Sequence, residues 1–144
     1  MSAEALGQLV AELFAAIKML SGYPVPDSQP PVHVLPRAQL EAMVCQGPCG
    51  VKGFYLKGKG VFIDEALDLS NSVKAKSILL HELVHYLQGA TGKFDSMPDC
   101  HAWYAREYEA YHIQNQYLRW EGSDSSYYMD SGIRNCLSEM GQAR

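Results

Sequence analysis

Residues Ser77–Gln88 read SILLHELVHYLQ. Leu79, Leu80, Leu83, Val84 and Leu87 recur at helical spacing and cover most of the circumference. A helix that is apolar nearly all round is buried. His81, Glu82 and His85 interrupt it. On a helix, residues i and i+4 share one face, with Cβ atoms about 5–6 Å apart, so His81 and His85 can present two imidazoles to one ion. Glu82 lies about 100° further round. It reaches a water on that ion without ligating it. Burying three polar side chains without compensation is costly, so the greasy setting favours a metal over two incidental histidines. The spacing is that of H-E-x-x-H, two zinc ligands and one general base.

Zinc used catalytically takes three protein ligands and keeps one position open. The next helix-forming stretch, CHAWYAREYEAYHIQNQYLRW from Cys100 to Trp120, has neither glycine nor proline. With Asp99 before it, it offers His101, Glu107, Glu109 and His112 as third ligand. Glu109 is the choice made here. Its helical neighbours Ala102, Ala105 and Ile113 form a small, apolar stripe that lets two helices approach closely. The stripe of Glu107 carries Cys100, Trp103, Tyr104, Tyr111 and Gln114, and that carboxylate is equally able to pair with Arg106 or face solvent.

Upstream, Leu6, Leu9, Val10, Leu13, Phe14 and Ile17 mark an amphipathic helix over 3–21, stopped at Ser21-Gly22. The proline-rich connector 23–31 cannot be helix or central strand. Residues from about 32 to 64 supply the strands. VHVLP reads as one, RAQLEAMVC as a short helix, and GFYLKGKGVFID as a hairpin turning at Gly58-Lys59-Gly60. Ser70, Asn71 or Ser72 caps the HExxH helix, predicted over 73–88, and Gly89 or Gly92 ends it. The ligand helix covers 100–120, and a last short helix runs from Ile133 to Met140. Helix, strands, then helices indicate an α+β class, as one domain over 1–144 with helices on a small mixed or antiparallel sheet.

Hydrophobic residues at 47% and charged residues at 19% place the chain among folded globular proteins. A net charge of -4 provides no basic footprint for nucleic acid. No apolar run reaches the roughly 20 residues of a membrane span. The first twenty residues do not read as a signal peptide, because Glu4, Glu12 and Lys18 interrupt the apolar positions. Cys45, Cys49, Cys100 and Cys136 are even in number. Two disulfides in an oxidising compartment, periplasmic or secreted, are the first reading. Four reduced thiols in a cytoplasmic protein are the second. A zinc knuckle at Cys45 and Cys49 is disfavoured by their CxxxC spacing. Cys45 and Cys49 can bridge through a Gly-Pro turn, which leaves Cys100 to pair with Cys136.

HELVH followed by a helix carrying Glu109-Ala110 resembles the gluzincin group of zincin metallopeptidases. REYEAYHIQNQYL also resembles small bacterial HExxH proteins with paired cysteines. The metzincin continuation HExxHxxGxxH is absent, since the chain reads HELVHYLQGAT. The resemblance implies a minimal zincin-like domain holding one zinc ion through His81, His85 and Glu109, with Glu82 as catalytic base. It implies hydrolysis of a peptide or protein bound in extended form along an edge strand, for which Gly60–Asp64 is the candidate. Tyr108, Tyr111 and His112 are candidates for a second oxyanion donor. Two alternatives stand beside it: a zinc-binding domain without peptidase activity, and an amidase acting on cell-wall peptides.

Overall fold

The computed structural model describes residues 1–45 and 47–129. Helix α1, Ala3–Ser21, opens at Ser2, whose side chain accepts from the Ala5 N–H, and closes at Gly22. Strand β1 (Val32–Leu35) leads through Pro36 into the short helix α2 (Arg37–Val44). Strands β2 (Gly53–Leu56) and β3 (Gly60–Asp64) form the hairpin. Helix α3, Val73–Thr91, is capped by Ser72 and ends at Gly92. Helix α4 spans Asp99–Trp120. Pro98 occupies its N-cap position, with Asp99 in the first turn. The expected helix over Ile133–Met140 lies outside the described residues, as does Cys136.

The three strands form a mixed sheet in the order β1-β3-β2. β1 runs parallel to β3 with Val32 opposite Val61, and β2 runs antiparallel with Gly53 opposite Ile63. All five residues of β3 are buried. Val61 and Ile63 enter the main core, while Phe62 points to the other face. There it stacks on its two cross-strand partners, His33 at 4.7 Å and Phe54 at 4.8 Å between ring centroids. Gly60 opens β3 at φ 115°, and an added Cβ would lie 2.4 Å from the Pro31 carbonyl oxygen. Only glycine tolerates both conditions.

Helix α3 is the element around which the others assemble. It packs most extensively on α4 and also meets α1, β2 and β3. Leu79, Leu80, Leu83 and Val84 are fully enclosed. Gly53 and Gly89 let β2 lie close against α3: an added Cβ would sit 3.3 Å from Glu82 Cγ at the first and 3.2 Å from the Tyr55 hydroxyl at the second. At the far end of β3, buried Asp64 accepts from Arg37 Nε at 2.8 Å and from the Ala66 N–H at 2.9 Å.

β3 is therefore not an edge strand, contrary to the sequence expectation. It is hydrogen-bonded on both sides, and among the described residues the edge beside α3 belongs to β2.

Candidate metal centre

His81 and His85 face the same side of α3, as their spacing requires. Their Nε2 atoms lie 3.2 Å apart. Glu107, on the facing side of α4, brings Oε1 to 2.5 Å from His85 Nε2 and 3.6 Å from His81 Nε2. These three side chains are grouped so that they could hold a metal ion. A tetrahedral ion with bonds of about 2.0–2.2 Å spaces its ligand atoms roughly 3.3–3.5 Å apart. The two nitrogens and the oxygen are near that spacing, and the His85–Glu107 separation is shorter because the two now touch directly.

Glu109 does not join the histidines, which corrects the choice made from its small-residue stripe. Residues 107 and 109 differ by about 200° around a helix, so only one of them can meet the His81–His85 face. Glu109 instead accepts from the Tyr23 hydroxyl, from Gln88 Nε2 at 3.1 Å and from the Lys93 ammonium. Burial raises its pKa, but Lys93, Tyr23 and Gln88 outweigh burial and hold the carboxylate below its usual range. Its negative charge is thus already matched. His101 and His112 are exposed on another face of α4 and line a separate pocket with Glu109.

Glu82 is buried beside the pair, on the β2 side. Burial pushes its carboxyl up and the charge of Glu107 adds to this, against the opposing pull of His81 and His85. A carboxyl raised in this way is better matched to moving a proton near neutral pH. Glu107 goes the other way. Burial disfavours its charged form, yet hydrogen bonds from His81 and His85 prevail and keep it ionised well below the usual carboxylate range. The same contact raises His85 against its own burial.

The far nitrogen of each imidazole is also engaged. His81 Nδ1 lies 2.9 Å from Gln114 Oε1, and His85 Nδ1 lies 2.8 Å from Gln88 Oε1. Sequence reasoning missed both glutamines. Gln114 stands seven residues beyond Glu107 and shares its helix face, a signal that could have pointed to Glu107 as well.

Two clefts flank the centre, with α3 as floor, β2 on one wall and α4 on the other. One, of about 440 Å³, is lined by Cys49–Gly53, His81, Glu82, Tyr111 and Gln114. The other, of about 340 Å³, is lined by Tyr55, Lys57, His85, Arg106 and Glu107. Of the three suggested oxyanion donors, Tyr111 lies at this site, its ring centroid 4.4 Å from that of His81. Tyr108 and His112 are exposed and stack on each other elsewhere.

The Cys45–Cys49 bridge is formed and stands in the wall of the larger cleft. The Cys49 and Gly50 N–H groups both donate to Glu41 Oε2, at 2.6 and 3.0 Å, which holds that wall to α2. The expected Cys100–Cys136 pairing has one end outside the described residues. Among the described residues, no helix is long and apolar enough to cross a membrane. Compared with protein-family models, characterised proteins and solved structures, the chain matches none.

Proposed function

We propose that the protein is a zinc-dependent hydrolase, and most simply a metallopeptidase of zincin type, in which His81, His85 and Glu107 hold one zinc ion and Glu82 is the catalytic base. The observation that carries this reading is the convergence of Nε2, Nε2 and Oε1 on one point, with a buried carboxyl alongside that ligates nothing. Two nitrogens and one oxygen are a donor set that suits zinc. Bound there, zinc would lower the pKa of a water toward about 7 and polarise a carbonyl. Glu82 takes up the proton of the attacking water and returns it to the leaving nitrogen. Tyr111, whose ring lies against His81, is the proposed donor to an oxygen that gains charge.

β2 supplies the substrate surface. An extended peptide can add to a free strand edge through backbone hydrogen bonds, and β2 runs from Gly53 beside Glu82 to Tyr55 beside Gly89. A peptide on that edge passes both clefts and crosses the metal centre between them. The Cys45–Cys49 bridge supports an oxidising compartment, periplasmic or secreted.

Metal analysis and a broad peptide library test this. About one zinc per chain is expected, with cleavage that a chelator stops. Glu82→Gln should leave zinc bound and lower turnover by at least 10²–10⁴-fold. Absence of zinc after refolding with the metal would end the proposal. Stoichiometric zinc without cleavage of any peptide, cell-wall peptides included, would leave a zinc-binding domain in its place.

A further inference from the structure

We infer that Gln88 and Gln114 are positioning residues that set the tautomer of the two histidines, so that both rings turn an unprotonated Nε2 toward the metal. The purpose of this arrangement rests on the metal reading above; the hydrogen-bond logic does not.

The logic starts at the outer ends. Gln88 Nε2 lies 3.0 Å from the Arg106 carbonyl oxygen and 3.1 Å from Glu109 Oε1. A carbonyl and a carboxylate can only accept. The amide must therefore turn its NH2 toward them, and its oxygen toward His85 Nδ1. An amide oxygen likewise only accepts, so the proton of neutral His85 sits on Nδ1. Tyr23 and Lys93 both donate to Glu109 and keep it ionised as the end acceptor.

The second relay ends differently and reaches the same result. The Ser77 hydroxyl donates to the Lys74 carbonyl at 2.7 Å, which uses its one proton. Ser77 Oγ must then accept from Gln114 Nε2, 3.1 Å away. Gln114 Oε1 is left facing His81 Nδ1, which must donate. Both glutamines are 2% exposed, so water does not compete for either amide. With both Nδ1 atoms protonated, each neutral ring keeps its Nε2 lone pair for an ion, and the two Nε2 atoms lie 3.2 Å apart and against Glu107. A proton on Nε2 is then an additional one, shared with Glu107 in the metal-free chain, and metal binding would release it. Glu109, suggested by its sequence position as a ligand, acts instead through Gln88 on the orientation of His85.

The test is proton–nitrogen correlation NMR of the histidine rings in the nitrogen-labelled, metal-free full chain, followed from about pH 8 upward so that both rings are read in the neutral form. Spectra of His81→Ala and His85→Ala assign the two signals. Both rings should carry a proton on Nδ1, and in the neutral form on Nδ1 alone. Gln88→Met should change the tautomer of His85 alone, and Gln114→Met that of His81 alone. Each should weaken zinc binding by about 10–100-fold. Gln114→Glu keeps an acceptor and should restore the His81 pattern. Should a methionine variant fail to fold, Ser77→Ala makes a smaller change and should release the His81 tautomer in the same way. Wild-type rings protonated at Nε2 and not at Nδ1, or methionine variants with unchanged tautomers, would overturn the assignment. Nδ1–H tautomers in a chain that takes up no zinc would overturn the metal reading and leave the relays standing. Zinc uptake by rings protonated at Nε2 and not at Nδ1 in the metal-free chain would do the reverse.

Discussion

At the scale of single residues, the centre turns on which of two glutamates meets the histidines. Glu107 and Glu109 are near neighbours in sequence and have opposite surroundings. Glu107 contacts both imidazoles, whereas Glu109 is matched by Lys93, Tyr23 and Gln88. The two should therefore separate in a zinc competition titration. Glu109→Ala loosens Gln88 and should cost about 10–100-fold in affinity, as removal of outer-shell partners does. Glu107→Ala removes a proposed ligand atom and should cost more than that. The opposite order would return the ligand role to Glu109. The sequence held the evidence for this distinction in Gln114, because a polar residue on the Glu107 stripe marks the face that α4 turns to the buried histidines. The small-residue stripe of Glu109 was legible as a close-packing surface, but close packing does not identify the neighbour.

At the scale of elements, α3 is both the centre of the core and the floor of the site, so the two roles can be separated by substitution. Leu83 is fully buried. Leu83→Ala should destabilise the metal-free chain by about 2–5 kcal/mol in urea unfolding. A change below 1 kcal/mol would contradict its central place (well under the range for enclosed leucines). Gly53 tests the contact between β2 and Glu82, the proposed catalytic base. An added Cβ there would lie 3.0 Å from Ile63 Cδ1 and 3.3 Å from Glu82 Cγ. Gly53→Val should shift Glu82 and lower turnover on the order of 10²-fold, with zinc stoichiometry unchanged. Undiminished cleavage would remove Glu82 from the reaction or β2 from the cleft wall. Most elements were legible because their signals are local. Ser72 caps α3, Gly92 ends it and Gly58-Lys59-Gly60 turns the hairpin. Gly89 looked like an equally good stop, yet it is absorbed into the helix where Tyr55 packs over it.

For the molecule as a whole, the centre joins α3 to α4, so binding there should stabilise the fold. Zinc at one hundred times its dissociation constant should add about 2.7 kcal/mol to the unfolding free energy. A chelator should remove that increment, and Glu107→Ala should abolish it. An increment that survives the substitution would place the ion elsewhere. A second whole-molecule term is the Asp64–Arg37 pair joining β3 to α2. Burial raises the pKa of Asp64, but the Ala66 N–H and Arg37 outweigh it and the folded-state value lies below the ordinary one. A depressed carboxylate contributes stability that is fully present above the unfolded value, and that is lost as pH falls through the folded value. In the metal-free chain, Asp64→Asn should therefore lower stability at neutral pH and flatten its decline in acid. An unchanged acid profile would show that the pair contributes nothing to folding.

The sequence by itself determined what short-range physics determines. The i, i+4 spacing places His81 and His85 on one face, the leucines bury their helix, and four residues of separation let Cys45 meet Cys49. Each of these follows from backbone geometry within a few residues, wherever the rest of the chain goes. Only the tertiary structure decided that, among the described residues, β3 is the central strand and β2 the edge strand beside α3. It alone decided that α4 is rotated to present Glu107, and that Gln88 and Gln114 stand behind the two imidazoles. These depend on strand order and on the rotation of one helix about its axis relative to another. That rotation is fixed by the simultaneous packing of α1, α3 and α4, and Gln114 on the Glu107 stripe is the local trace it leaves in the sequence.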